Sequence, residues 1–295
     1  MNRMKDILIE LRPFQWIKNL FLFAGLIFSF SFTQTVPILK TIFGFVIFCL
    51  ASSSVYIFND IIDKEIDRKH PQKCKRPVAS GRLSEGLALF ISILLAVISL
   101  LLSIFINRPF FFICFSYIVL MVIYSGILKK IAILDVLAIS FGFILRAVAG
   151  AVAIEVYISP WLLLTTFLLA LFIGLCKRRH EIVLMGESAN AHRSALSYYS
   201  SNLLDQMIAV VTASTVVTYS LYTMAEETVI KFGTRFLGFT IPFVIYGIFR
   251  YLYLVHQQQG GGRPEKTLLT DRPLLIDIFL WGVSAILIIY LSKGY

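Results

Sequence analysis

The sequence is poor in charge. Asp, Glu, Lys and Arg make up only 15% of its 295 residues, while 58% are apolar. Soluble domains carry about 25% charged and about 45–50% apolar residues. A soluble fold of this length has no core large enough to hide the surplus. That excludes a soluble enzyme, and with it disorder, collagen and a disulfide scaffold. Cysteine is scarce too: Cys49, Cys74, Cys114 and Cys176 form no CxxC pair and no ligand-like spacing, so neither zinc nor a disulfide framework is supported. The charged N-terminal stretch carries no A-x-A-like cleavage site, so the first apolar run is read as a retained span. The net charge of +10 comes without any RNA- or DNA-binding motif, which excludes nucleic acid as the partner. No soluble domain, low-complexity tract or internal repeat is visible, and Gly260–Gly262 is a loop hinge at most.

What is present is apolar length. A helix crosses the hydrocarbon core with about 20 residues, and the mean hydropathy of +0.82 reflects repeated runs of that size. The pattern predicts an all-α polytopic membrane protein with nine spans: Phe14–Phe32, Pro37–Phe58, Gly86–Ile106, Pro109–Leu128, Ile131–Ala153, Pro160–Cys176, Leu203–Met224, Phe236–Val255 and Pro273–Leu291. Lys and Arg set the orientation. With the N-terminus cytoplasmic, 21 of the 27 basic residues fall inside, five fall outside, and Arg146 stays within a span. The expected setting is the inner or plasma membrane, with membrane lipids around the chain and the C-terminus outside. Polar residues collect in three long inward connections, Asn59–Glu85, Lys177–Asn202 and His256–Arg272.

The first of these carries Asn59-Asp60-Ile61-Ile62-Asp63-Lys64-Glu65-Ile66-Asp67-Arg68. If the preceding span continues helically, Asn59, Asp60, Asp63 and Asp67 share one face. Stacked carboxylates raise each other's pKa unless a cation sits among them. Hard oxygen ligands suit Mg²⁺, which takes one or two carboxylates and completes its shell with water and phosphate oxygens. The ordinary alternative is a solvated helix end, each Asp neutralised by a nearby Lys or Arg. Acids stacked at the end of a membrane span are costly, which favours the metal site.

Asn59-Asp60-x-x-Asp63-x-x-x-Asp67 resembles the first aspartate-rich motif of the UbiA-type intramembrane prenyltransferases. The resemblance implies nine transmembrane helices around a central cavity open to the cytoplasmic side. It further implies one domain over residues 1–295, with 59–85 and 177–202 as catalytic loops. Most of that superfamily carry a second aspartate-rich motif after the sixth span. Here the corresponding stretch reads Cys176-Lys177-Arg178-Arg179-His180-Glu181 and runs on to Asn190-Ala191-His192-Arg193, with one acid among cations. Arg reads phosphate oxygens bidentately, so this composition suits additional phosphate.

That departure is similar to the decaprenyl-phosphate phosphoribosyltransferase branch. Its landmarks are Arg12-Pro13-x-Gln15-Trp16-x-Lys18-Asn19, Arg68-x-His70-Pro71-x-Lys73-x-x-Arg76-Pro77, Ile133-x-Asp135 leading to Arg146, Lys177-Arg178-Arg179-x-Glu181, and Pro264-Glu265-x-x-Leu268-Leu269-x-Asp271-Arg272-Pro273. The branch implies phosphoribosyl diphosphate as donor, a polyprenyl phosphate lipid as acceptor and Mg²⁺ as cofactor. Asp60, Asp63 and Asp67 are then the catalytic, metal and diphosphate ligands, with Asn59 on a ribose or phosphate contact.

Lys73 and Arg76 are candidates for donor phosphates, or simply topology signals. Lys177 and Arg178 are candidates for the same cavity, and Glu181 either holds a cation or orients Arg178. Lys18 either reaches the lipid phosphate or snorkels to the interface. Arg146 is either a phosphate ligand or part of a structural hydrogen-bond network; Asp135, about 16 Å away along the helix, is not its expected partner. An oligomer is compatible with the sequence. The rivals are a prenyltransferase acting on an aromatic acceptor, which lacks its second acidic motif here, and a transporter, which lacks an inverted repeat.

Overall fold

A computed structural model describes residues 3–185, 198–257, 267 and 269–292. The described residues are helical, with no strand. Two compact units result: Met1–Ile158 makes up most of the first, and Ser159–Ala189 with Tyr199–Tyr295 makes the second.

The first unit opens with α1 (Arg3–Glu10), followed by a 3₁₀ segment over Pro13–Leu22 and the short α2 (Phe23–Phe28). Then come α3 (Thr35–Ile62), α4 (Lys64–Lys69), α5 (Glu85–Ile104), α6 (Arg108–Gly126) and α7 (Leu134–Ala153). The second unit contains α8 (Pro160–Met185), α9 (Ser201–Met224), α10 (Glu226–Phe232), α11 (Ile241–Gln257) and α12 (Arg272–Ser292).

Eight helices among the described residues are long and apolar enough to span a membrane. They correspond to the second through ninth spans expected from hydropathy. The first expected span, Phe14–Phe32, is not a continuous α-helix. Pro13 starts it in 3₁₀ geometry, and Phe30, at φ 62°, ends it. Its path is still long. Ten residues at about 2.0 Å and six at about 1.5 Å reach roughly 29 Å, close to the hydrocarbon thickness. The sixth expected span also differs: α8 continues past Cys176 to Met185, so Lys177–Glu181 are helical rather than the start of a loop. Asn190–Arg193, Gly260–Gly262, Pro264, Glu265 and Leu268 lie outside the described residues.

The non-standard winding near the N-terminus is held by close packing. Leu22, Ile47, Phe48, Ala51, Val55, Phe110, Cys114, Tyr117, Ala149 and Ala153 form one buried cluster of the first unit. Small residues on α7 let the 3₁₀ segment and α2 approach: a Cβ on Gly150 would sit 1.8 Å from the Leu22 carbonyl oxygen, and one on Gly25 would meet the Ala151 backbone at 2.8 Å. Hydroxyls on α3 take up the loose backbone and side chains. Ser53 Oγ donates to the Leu11 carbonyl at 2.8 Å and accepts from Trp16 Nε1 at 3.0 Å, while Asn19 Nδ2 donates to Ser52 Oγ at 3.2 Å.

In the second unit, Tyr219 and Thr240 share a hydrogen bond of 2.7 Å, and Trp281 Nε1 donates to the Tyr219 hydroxyl at 2.8 Å. Asp271 caps α12 by accepting from Leu274 N at 2.9 Å, and also holds Arg250 at 2.8 Å.

Gly150→Ala tests the first-unit packing. The clash is backbone against an added carbon, so no rotamer change relieves it. The substitution should destabilise the protein by about 1–3 kcal/mol or more, read as a lowered unfolding midpoint in detergent.

Candidate active site

Helix α3 has 28 residues and is therefore about 42 Å long, more than the hydrocarbon core requires. Its last turn carries Asn59 and Asp60, where the apolar run gives way to polar residues. At Asp63 the backbone leaves helical geometry (φ −86°, ψ 2°), yet Asp63 N still bonds Asn59 O at 2.9 Å and Asp67 N bonds Asp63 O at 2.8 Å. The expected near-helical run of polar residues is therefore present.

The acids do not point at one common spot. Asp60 and Asp67 are buried, each about 2% exposed. Arg76 joins them, with Nη1 3.0 Å from Asp60 Oδ1 and also bonded to Asp67. Arg12 closes the other side by donating to both oxygens of Asp60. Asn59 and Asp63 form a second group: Asn59 Nδ2 donates to Asp63 Oδ2 at 3.0 Å. Lys129 Nζ reaches Asn59 Oδ1 at 3.1 Å and Asp63 Oδ1 at 2.6 Å. Each aspartate thus has a basic partner, the arrangement described above as the ordinary alternative. The partners arrive from elsewhere in the chain.

Arg12 reaches Asp60 from a strained backbone. It lies in the left-handed region at φ 52°, ψ 58°, immediately before Pro13, which disfavours right-handed helix at that position. A non-glycine residue there costs roughly 1–2 kcal/mol. The two bonds to Asp60 and the Arg12 guanidinium over the Tyr56 ring, 5.5 Å from its centroid, hold the conformation. The connection after α4 is pinned as well: Arg68 Nε donates to Ala79 O at 3.1 Å, and Arg82 pairs with Asp6 at 3.0 Å. Lys73 is half-buried, and its charge lowers the pKa of Asp67.

Glu10, the last residue of α1, is a fourth acid of this cluster. It is only 2% exposed and hydrogen-bonds Asp60. Its Oε1 is buried and bonds none of the described residues. Burial first, then the charge of Asp60 and the bond to it, push the Glu10 carboxyl up to about 8. Asp67 is also held above the usual carboxylate range, because burial outweighs the opposing Arg76 and Lys73 charges.

The remaining candidates stand as follows. Arg146 is buried in α7, where it donates to Asn19 Oδ1 at 2.8 Å, Gly142 O at 2.9 Å and the Tyr117 hydroxyl at 2.7 Å. The structure thus supplies a hydrogen-bond network of the kind expected as one of its two alternatives. Lys18 is half-buried within the 3₁₀ segment. On α8 of the second unit, Arg178 is 2% exposed and pairs with Glu181 at 2.6 Å, while Lys177 is half-buried. Arg179 pairs with Asp205, which His256 Nε2 also approaches at 3.4 Å.

Among the described residues, no three His, Cys, Asp or Glu side chains come together as a group that could hold a metal ion. The donor set fits Mg²⁺ nonetheless. Asp60, Asp63 and Asp67 offer hard carboxylate oxygens, and this ion takes few protein ligands. The sequence reading did not assign Glu10, Arg12 or Lys129 to the site. Arg12 is visible only as part of a motif, and Lys129 is hidden in a Lys-Lys pair that reads as a topology signal.

Comparison with known proteins matches residues 20–281 to the UbiA prenyltransferase family. The chain belongs to this family. Its relatives include the decaprenyl-phosphate phosphoribosyltransferase of Mycolicibacterium smegmatis, 33% identical with 95% of this chain and 91% of that protein covered. The enzyme of the same name from Corynebacterium glutamicum is 31% identical, covering 100% and 90%. Among solved structures, a UbiA homolog from Archaeoglobus fulgidus bound to GPP and Mg²⁺ superposes with a TM-score of 0.70 at 19% identity over 98% of both chains. The fold is therefore that of the UbiA proteins, and the near-complete relatives place the chain in the phosphoribosyltransferase branch.

The Glu10 shift has a pH signature. The folded chain keeps this proton up to about pH 8 against a usual value of 4.5, so it binds more protons than the unfolded chain across that window. Stability therefore falls as pH rises through it, and Asp67 adds in the same sense. Thermal unfolding of the metal-free protein between about pH 5 and 9 should show the midpoint dropping with pH. Glu10→Gln should flatten that slope.

Proposed function

We propose that the chain is a membrane phosphoribosyltransferase. It moves the 5-phosphoribosyl group from phosphoribosyl diphosphate to a polyprenyl phosphate of decaprenyl type and releases diphosphate, for a cell-envelope pentose donor. Likeness to the decaprenyl-phosphate phosphoribosyltransferases over nearly the whole length carries this reading. The likeness to an enzyme of prenyl transfer to an aromatic acceptor, a 4-hydroxybenzoate octaprenyltransferase, extends over 36% of this chain.

The chemistry follows from charge. One oxygen of the lipid phosphate attacks C1 of the ribose as the C1–diphosphate bond breaks, and the leaving group carries the electron pair away. The attacking oxygen is already ionised, so no general base is required. The main task is to hold a growing negative charge. Arg12, Arg76 and Lys129 are suited to that task, since each can exchange a carboxylate for a phosphate oxygen and keep its charge-assisted bonds. Asp60, Asp63 and Asp67 are proposed to hold Mg²⁺, with Asn59 supporting the ribose or phosphate. When bound, that ion supplies further neutralisation of the departing diphosphate. Lys73, Lys18 and Arg146 remain candidates for phosphate contacts, and Lys177 and Arg178 for the 5-phosphate, with Glu181 orienting Arg178. The cell membrane with an inside N-terminus is the setting proposed from the charge bias.

Incubating purified protein with Mg²⁺, labelled phosphoribosyl diphosphate and polyprenyl phosphate should move label into the lipid fraction. Consumption of a prenyl diphosphate instead would replace this function with the rival one. Asp63→Asn is the cleaner metal test, because Asp63 is 20% exposed and Asp60 only 2%. It should lower turnover roughly 10- to 200-fold, the worth of one charged contact, and chelation should silence the native protein. Lys177→Ala should weaken use of phosphoribosyl diphosphate by a similar factor.

A further inference from the structure

Glu10 is the acid for which the proposed chemistry has no use. It ends α1, where a helix terminus offers a carboxylate no favourable dipole. It is 2% exposed, and one side of its carboxyl is spent on Asp60. The other oxygen, Oε1, is buried without a partner among the described residues. Buried acceptors are almost always satisfied, so an orphan next to a functional cluster marks a place where something else donates.

The neighbours of Glu10 narrow what that donor is. It is bonded to Asp60 and lies within the electrostatic reach of Arg12 and Arg76, and these are the groups proposed above for the diphosphate end of the donor. In phosphoribosyl diphosphate the anomeric diphosphate and the 2- and 3-hydroxyls lie on the same face of the ring. The 2-hydroxyl is on the carbon next to C1, so an acceptor beside the diphosphate anchor meets it first. A prenyl diphosphate has only hydrocarbon there and would leave the orphan unsatisfied.

We propose that Glu10 is a specificity-determining residue whose Oε1 accepts a hydrogen bond from the ribose 2-hydroxyl of the donor. This rests on the phosphoribosyl reading and deepens it. It does not depend on ionisation, because the free oxygen of a carboxyl accepts whether or not the other oxygen carries a proton. Glu10 selects the sugar, while the cations next to it hold the diphosphate of any donor.

The test compares phosphoribosyl diphosphate with its 2-deoxy and 3-deoxy analogues on the purified membrane enzyme. The native protein should use the 2-deoxy donor with kcat/KM roughly 10- to 100-fold lower, and the 3-deoxy donor with a smaller loss. Glu10→Ala should lower kcat/KM for the ribose donor by about that factor, leave the 2-deoxy donor unchanged and bring their ratio near one. Glu10→Gln keeps an acceptor oxygen and should retain most of the discrimination. Calorimetric binding of inorganic diphosphate with Mg²⁺ should be the same in native and Ala proteins. Where the cavity left by Ala unfolds the protein, Glu10→Met, of similar volume and without an acceptor, takes its place.

A native enzyme indifferent to the 2-hydroxyl overturns the proposal, as does an Ala or Met variant that keeps full discrimination. Both outcomes leave phosphoribosyl transfer standing. A native protein that consumes no phosphoribosyl diphosphate refutes that transfer and the role of Glu10 with it.

Discussion

Carboxylates buried at the end of a membrane-length helix must be neutralised, and much of the first unit is arranged around that requirement. Asp60 and Asp67 are nearly inaccessible, so each needs a cation from the protein itself. Arg12 arrives from the turn after α1, Arg76 from the connection after α4, and Lys129 from the 3₁₀ turn between α6 and α7. Removing Arg76 would take the ion pair from buried Asp67, which is far more costly than the net worth of the pair. The network therefore ties separate stretches of chain to the end of α3, whatever it contributes to overall stability.

An alternation of acids and guanidinium groups also suits a site that must accept both a divalent cation and a polyphosphate. At rest the charges satisfy each other. In the reaction proposed above, a metal–diphosphate pair would offer the acids a cation and the arginines an anion, so neither set would be left exposed to low dielectric. The left-handed Arg12 is part of this arrangement. Its backbone strain is held by the same contacts that aim the guanidinium at Asp60.

Much of this was legible in one dimension. Eight of the apolar runs became helices, and apart from the longer α8 their boundaries lie close to those expected, because length and hydropathy are local properties. Asn59, Asp60, Asp63 and Asp67 were legible too, since helical spacing is a short-range rule. The partners were not: Arg12 lies 48 residues from Asp60, and Lys129 lies 66 from Asp63. Periodicity carries no information about which distant cation will dock. Glu10 looked like one more charge in a polar N-terminal stretch. The 3₁₀ winding of Pro13–Leu22 was hidden because its composition is as apolar as an ordinary span, and its geometry is dictated by Gly150 and the serines of α3. Lys177–Glu181 read as loop because charge ended the hydropathy signal before it ended the helix.

The contact between Gly150 and the Leu22 carbonyl bears on how such chains can be recombined. A 3₁₀ stretch has looser internal bonding than an α-helix and borrows order from its neighbours. Here it borrows a notch on α7 and a row of hydroxyls on α3. Donor and recipient of that order are therefore one inheritable block, although more than a hundred residues separate Leu22 from Gly150. A chimera with a relative that crosses over between α2 and α7 would pair a notch from one parent with a backbone from the other. A crossover placed after Ala153 keeps the block whole.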